Sequence, residues 1–201
     1  MQPRVAGVLL AAGEGSRLGQ PKALVEIGGQ RLADRGVALL RAGGAAPVVL
    51  VTGAAAVDVP GTVVVHNPAW STGMGSSLTA GLTALRSLPQ DVCSAAVIAL
   101  ADQPLVGPES VRRLIAAHTG GAGIAVAAYD GRPRNPVLIA REYWDEVLAM
   151  AHGDAGARPF LRAHADLLTL VECGGTGSPD DIDTPDDLAR VAKVLSQGDE
   201  A

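Results

Sequence analysis

The chain has 201 residues, a formal net charge of −5, and 48% apolar residues of which very few are aromatic. That length suits a single domain spanning residues 1–201, burying roughly 70% of the surface its unfolded chain exposes. The acidic balance argues against a nucleic-acid partner, no apolar segment has the length of a membrane span, and the Ala, Val and Leu content predicts a core of small aliphatic side chains.

Residues 5–11 form a near-continuous apolar run, as expected of a central strand covered on both faces. A glycine loop follows, then a short apolar piece at 23–27 closed by Gly28-Gly29. Leu32, Val37, Leu39 and Leu40 mark a helix that stops at Gly43-Gly44. Residues 48–51 are a second strand. Residues 54–61 are small and are read as a helix, one that Pro60 weakens. Residues 63–65 are a third strand, running into His66-Asn67-Pro68. Leu78, Leu82 and Leu85 fall at helical spacing after a Gly/Ser-rich turn.

Residues 95–100 are a fourth strand ending in Ala101-Asp102-Gln103-Pro104. Pro108 and Glu109 open a helix continued by Val111, Leu114 and Ile115. Strands are expected at 123–128 and 137–139, separated by a turn-rich stretch, Gly131-Arg132-Pro133-Arg134-Asn135-Pro136. A helix at 143–150, a polar turn at 153–159, a short helix at 160–165 and a strand at 167–171 follow. The final helix opens at Thr184 as N-cap with Pro185 in its first turn, and fraying is expected from Gln197. Alternating strands and helices predict a mostly parallel α/β sheet, mixed from about Gly123 onward.

Cys93 and Cys173 lack metal-site spacing and are read as reduced core thiols. The apolar start runs straight into the glycine loop without a cleavage pattern, so no signal peptide is expected and the location is read as cytoplasmic.

In open α/β sheets ligands sit outside the carboxyl ends of the strands. Four polar clusters fall there: the loop from Gly13 to Lys22, the segment from Asn67 to Ser77, the Asp102 loop and the turn from Asp154 to Arg158. The loop contains neither G-x-G-x-x-G nor a Walker motif. Its glycines can aim backbone N–H groups at an anion, and Arg17 and Lys22 add positive charge. Two cations in one short loop repel each other unless a polyanion neutralises them. Asp102 ends an apolar strand, where it is either a turn cap or a ligand for a hard metal, with Asp183 as the second carboxylate. Asp181 and Asp186 are read as helix-dipole or solvent-facing residues. Asn67, Ser76 and Ser77 suit a ribose, a base edge or a second anion, or serve as turn residues. Arg134 and Arg158 could meet a second phosphate, with Asp154 orienting Arg158.

In this order the clusters resemble the MobA-like nucleotidyltransferase family. The carrying residues are Leu10-Ala11-Ala12-Gly13-Glu14-Gly15-Ser16-Arg17-Leu18-Gly19 with Pro21-Lys22, and Asn67-Pro68 with Gly73-Met74-Gly75-Ser76-Ser77-Leu78. Leu100-Ala101-Asp102-Gln103-Pro104, Gly153-Asp154-Ala155-Gly156-Ala157-Arg158 and Asp181-Ile182-Asp183-Thr184-Pro185 complete them. Within the family the chain looks most like molybdenum cofactor cytidylyltransferases. GTP users tend to carry Leu-Ala-Gly-Gly where this chain has Leu10-Ala11-Ala12-Gly13, which implies a base-discriminating role for Ala12. At Arg134-Asn135-Pro136 the chain departs from the Gly-His-Pro that cytidylyltransferases often carry.

The resemblance implies a Rossmann-like three-layer α/β/α fold and Mg²⁺-dependent transfer of CMP from CTP to the terminal phosphate of molybdopterin, releasing pyrophosphate. Arg17, Lys22 and Asp102 would be catalytic. Leu10, Ala11, Ala12, Gly13, Gly15, Ser16, Asn67, Ser76 and Ser77 would join them around the nucleotide, Asp102 and Asp183 would hold the metal, and Arg134, Asn135, Asp154 and Arg158 would face the acceptor. A molybdenum oxidoreductase would receive the product. The rivals are transfer to another phosphorylated acceptor, such as a sugar phosphate, and a non-catalytic cofactor-delivery protein.

Overall fold

The computed structural model describes residues 4–89 and 92–198. Nine strands and six α-helices alternate along them: β1 (Val5–Ala11), β2 (Glu26–Ile27), β3 (Gln30–Arg31), α1 (Leu32–Ala42), β4 (Val48–Thr52), β5 (Val63–His66), α2 (Met74–Arg86), β6 (Ala95–Leu100), α3 (Pro108–Thr119), β7 (Ile124–Tyr129), β8 (Arg132–Ala140), α4 (Trp144–Met150), α5 (Arg158–Ala163), β9 (Leu168–Glu172) and α6 (Pro185–Gly198). Seven strands form one sheet in the order β5-β4-β1-β6-β8-β7-β9, and β2 and β3 form a separate hairpin. All neighbours in the large sheet are parallel except β8, which runs antiparallel to both β6 and β7.

Strand alternation sorts the core into two layers. Leu9 and Ala11 of β1 and Leu50 of β4 pack with Val37 and Leu40 of α1 and Val111 and Leu114 of α3. Val8 and Leu10 of β1 and Val49 and Val51 of β4 face Leu78, Leu82 and Leu85 of α2, with Trp144 and Phe160 from α4 and α5. Both faces of β1 are thereby covered, which is why its sequence shows no polar alternation. A smaller cluster of Val25, Ile27, Leu32, Ile182 and Val191 docks α6 and the segment before it onto the β2–β3 hairpin.

The register levels the carboxyl ends of the central strands, with Ala11 opposite Thr52 and Leu10 opposite Leu100. The loops leaving β1, β4 and β6 therefore emerge at one rim.

Most expected elements occur within one or two residues of their expected bounds, but the helix expected at 54–61 does not form, Pro60 removing a backbone donor from a stretch too short to lose one. The stretch from Gly131 to Pro136 differs, because all but Gly131 belongs to β8. Asp130 and Gly131, both at positive φ, close a two-residue hairpin. Pro133 and Pro136 are tolerated because β6 pairs only from Val137 onward, so this half of β8 has a single neighbour. Of the tail expected to fray from Gln197, Gln197 and Gly198 close α6, and 199–201 lie outside the described residues. Cys93 and Cys173 are free and buried. Among the described residues no helix is long and apolar enough to cross a membrane.

Candidate active site

The loop after β1 turns at Gly15, whose φ of 62° is left-handed. A Cβ there would run into the backbone carbonyl of Gln20, so only glycine lets the loop close on itself. The closure is pinned by Lys22 N–H donating to the Gly13 carbonyl at 3.2 Å. It brings the Lys22 side chain back over the end of β1.

There Lys22 meets two acids remote in sequence. Its Nζ donates to Asp102 Oδ2 and to Asp183 Oδ1, each at 2.6 Å. Arg17 approaches Asp183 Oδ2 at 3.9 Å from a mostly solvent-exposed position. Burial by itself would depress Lys22, but the pull of Asp102 and Asp183 outweighs it and holds the ammonium above its usual range. The polyanion that neutralises the loop's lysine is thus, in the free protein, the acid pair itself.

The acid pair is assembled by two backbone and side-chain ties. Ile182 N–H donates to the Asp102 carbonyl at 2.8 Å, joining the loop after β6 to the segment before α6. Buried Gln103 reinforces the join, its Nε2 donating to Pro179 O at 3.0 Å and to Asp181 Oδ1 at 2.8 Å. Asp181 is therefore tied to Gln103 rather than left to the helix dipole. Partial burial, then the charges of Asp102 and Asp183, push its carboxyl above the usual range.

Asp183 itself is held by the cap of α6. Asp187 Oδ2 accepts from the backbone N–H of Asp183 at 3.2 Å, from that of Thr184 at 3.0 Å and from Thr184 Oγ1 at 2.8 Å. In return Asp187 N–H donates to Thr184 Oγ1 at 3.2 Å, a reciprocal capping box around the expected N-cap. These bonds, the Thr184 hydroxyl first, draw Asp187 down to about 2.

A cleft of about 530 Å³ opens above the acid pair. Leu10, Ala11, Ala12, Gly13, Gly15, Ser16, Arg17, Lys22, Ser77, Asp102, Asp154 and Asp183 line it, so the structure gathers these expected site residues around one space. The far wall is the start of α2. Gly73, with φ of 114°, packs so closely that a Cβ would strike the backbone of Gly153 and come within 2.7 Å of Asp154 Oδ1.

Several expected site residues stand elsewhere. Asn67 does not line the cleft. It is buried, with Nδ2 donating to Ser76 Oγ at 2.8 Å and Ser77 Oγ at 3.0 Å and Oδ1 accepting from Ala69 N–H at 3.0 Å. Ser76 Oγ is in turn spent on the carbonyls of Ala69 and Gly73. Both pin the loop between β5 and α2. Arg134 and Asn135 lie in β8, beyond the Ile98–Val137 pair and so toward the level at which β6 ends. They reach the same rim without entering the cleft wall, and among the described residues Arg134 Nη1 donates only to the Pro133 carbonyl at 3.2 Å. Arg158 donates to the backbone carbonyl of Asp154 at 3.3 Å, so it is not oriented by the Asp154 carboxylate.

Trp70 and Ser71, inside the expected Asn67 to Ser77 cluster but not singled out in it, also line the cleft. The backbone of Gly53 admits Trp70 and Ala12 side by side, each within 2.7 Å of where a Cβ would stand. The signal for Trp70 was available, since it is one of only two tryptophans and follows a strand-end Asn-Pro. Gln103, the tie between the two acid loops, was legible only as a neighbour of Asp102.

Two carboxylates converging on one cation, open on one side to a cleft, fit a hard divalent ion that takes one or two carboxylates and fills its shell with water and phosphate oxygens. Beside a glycine loop at the carboxyl rim of a parallel sheet, this arrangement defines a nucleotide-handling α/β protein.

The particular family follows from comparison with known proteins: residues 7–167 match the MobA-like NTP transferase domain, and the chain belongs to that family of nucleotidyltransferases. It is 37% identical to nicotine blue oxidoreductase of Paenarthrobacter nicotinovorans over 94% of this chain and 97% of the relative. A shorter match, 49% identical over 23% of each chain, is to a probable molybdenum cofactor guanylyltransferase of Opitutus terrae. Among solved structures, the Mycobacterium tuberculosis protein Rv0371c superposes with a TM-score of 0.81 at 27% identity, over 96% of this chain and all of that one. The same protein has been crystallised in complex with manganese (TM-score 0.75, 28% identity, 94% and 98% coverage).

Proposed function

We propose that this chain is a cytoplasmic, single-domain, Mg²⁺-dependent cytidylyltransferase that moves CMP from CTP to the terminal phosphate of molybdopterin and releases pyrophosphate. The observation that carries this reading is the convergence of Lys22 with Asp102 and Asp183 at the floor of a cleft walled by the glycine loop. Transfer of this kind asks a protein mostly for positioning and charge neutralisation. The loop N–H groups, Arg17 and Lys22 would hold the triphosphate and stabilise the departing pyrophosphate. Asp102 and Asp183 would hold Mg²⁺, which supplies charge stabilisation at the α-phosphate and the attacking oxygen. Ala12 beside Trp70 would meet the base. Ser77 and Asp154 lie across the cleft, where the acceptor would enter, and exposed Arg134 and Arg158 with half-buried Asn135 would extend its phosphate contacts along the rim. A molybdenum oxidoreductase would take the product.

Incubating the protein with each nucleoside triphosphate, Mg²⁺ and molybdopterin, and weighing the product, tests the proposal. The expected product is the cytidylyl adduct; a guanylyl adduct or transfer only to sugar phosphates would replace it. The name of the nicotine blue oxidoreductase relative favours a second reading, redox chemistry on a small molecule. Redox turnover of nicotine blue with a supplied electron donor, without pyrophosphate release, would select that reading instead.

A further inference from the structure

We propose that Lys22 is an internal counter-cation for the acid pair, excluding divalent ions until a nucleoside triphosphate draws it away. Two observations place it so. Its ammonium bridges Asp102 and Asp183 at 2.6 Å to each, the position from which a divalent ion would engage both carboxylates. Its aliphatic stem passes Gly13, with Cδ 3.7 Å from where a Cβ would stand, so the side chain already runs along the floor of the glycine loop.

A cation entering between the acids must displace the ammonium, and two cations cannot share that gap without strong repulsion. The displaced ammonium then needs another anion. A triphosphate lying in the glycine loop provides one, because rotation about the stem carries Nζ from the acids toward the loop. Ion and nucleotide binding are thereby coupled, each favouring the other through the same lysine. Before the nucleotide arrives, Lys22 keeps the two carboxylates together and suppresses binding of a bare ion. This inference rests on the nucleotide reading above for its second half only; the counter-cation half stands on the free protein's geometry.

The test is Mn²⁺ affinity of the full chain without nucleotide, read by electron paramagnetic resonance of the free ion. Lys22→Met, which removes the charge and keeps most of the stem, is expected to bind Mn²⁺ at least tenfold tighter than wild type. Adding Asp102→Asn should abolish that gain. Lys22→Gln gives the same readout should the Met variant fail to fold. Equal or weaker Mn²⁺ binding by a folded charge-removed variant overturns the inference, as does a gain that survives Asp102→Asn. With CTP present, and Mn²⁺ held by CTP alone measured in protein-free buffer and subtracted, wild-type Mn²⁺ affinity should rise and approach or exceed that of Lys22→Met. If CTP leaves wild-type affinity unchanged, the coupling is overturned; if CTP does not bind at all, the proposed function falls while the Mn²⁺ result still decides the counter-cation role.

Discussion

Replacing Asp102 by Asn removes a charge from the acid pair while keeping its shape. Asp102 is about four-fifths covered, with a side-chain exposure of 20%, and its Oδ2 accepts from Lys22 at 2.6 Å. Losing that charge-assisted hydrogen bond costs about 1.5–3 kcal/mol. Against this, the acceptor oxygens of Asp102 and Asp183 lie no more than about 5 Å apart, since both touch the same ammonium. Like charges at that separation repel by about 3 kcal/mol at an effective dielectric constant near 20. The two terms offset, so Asp102→Asn should change stability by no more than about 2 kcal/mol, a melting shift within about 8 °C for a chain of this size. Turnover has no such compensation. If Asp102 and Asp183 hold the metal as proposed, removing one of the two carboxylates should lower kcat by about 10²–10³-fold or more, comparable to losing a preorganised electrostatic contact. Pyrophosphate release at saturating CTP, Mg²⁺ and molybdopterin, alongside a thermal melt, checks both halves. Turnover within about threefold of wild type would take Asp102 out of the reaction, and a melting loss beyond about 10 °C would make the pair structural rather than functional.

Gly15→Ala should cost about 1–2 kcal/mol or more in urea unfolding, from left-handed backbone and the clash with Gln20, and should raise KM for the nucleotide because Lys22 follows that turn. Ala12→Gly should erode the proposed preference for CTP over GTP in a competition assay; an unchanged product ratio removes Ala12 from base selection. Asp181 sits above its ordinary value of 3.8, so the folded chain holds that proton more tightly than the unfolded one. Its contribution to stability therefore falls as pH rises from 3.8 through the raised value, and its cost is full at neutral pH. Asp181→Asn, which keeps an acceptor for Gln103, should melt higher than wild type at pH 7, and the gain should vanish below pH 3.8. A gain independent of pH would point to packing instead.

The apolar run of β1, the glycines of the loop behind it, the capping residues of α6 and the order of strands and helices could all be read along the chain. Each is a local consequence of side-chain size, turn chemistry or hydrophobic period. Thr184 as N-cap needs only its own sequence neighbours, and the glycine loop needs only the absence of Cβ. The meeting of Lys22 with Asp102 and Asp183, 80 and 161 residues away along the chain, is of another kind. It depends on Val25, Ile27, Ile182 and Val191 burying one another, and on Gln103 tying two loops. Nor could local sequence show that Asn67 spends its amide on Ser76 and Ser77, or that Arg134 lies in a strand rather than a turn. Residue type names the chemistry a side chain can perform, but partner and direction are set by long-range packing, which only the tertiary structure decides.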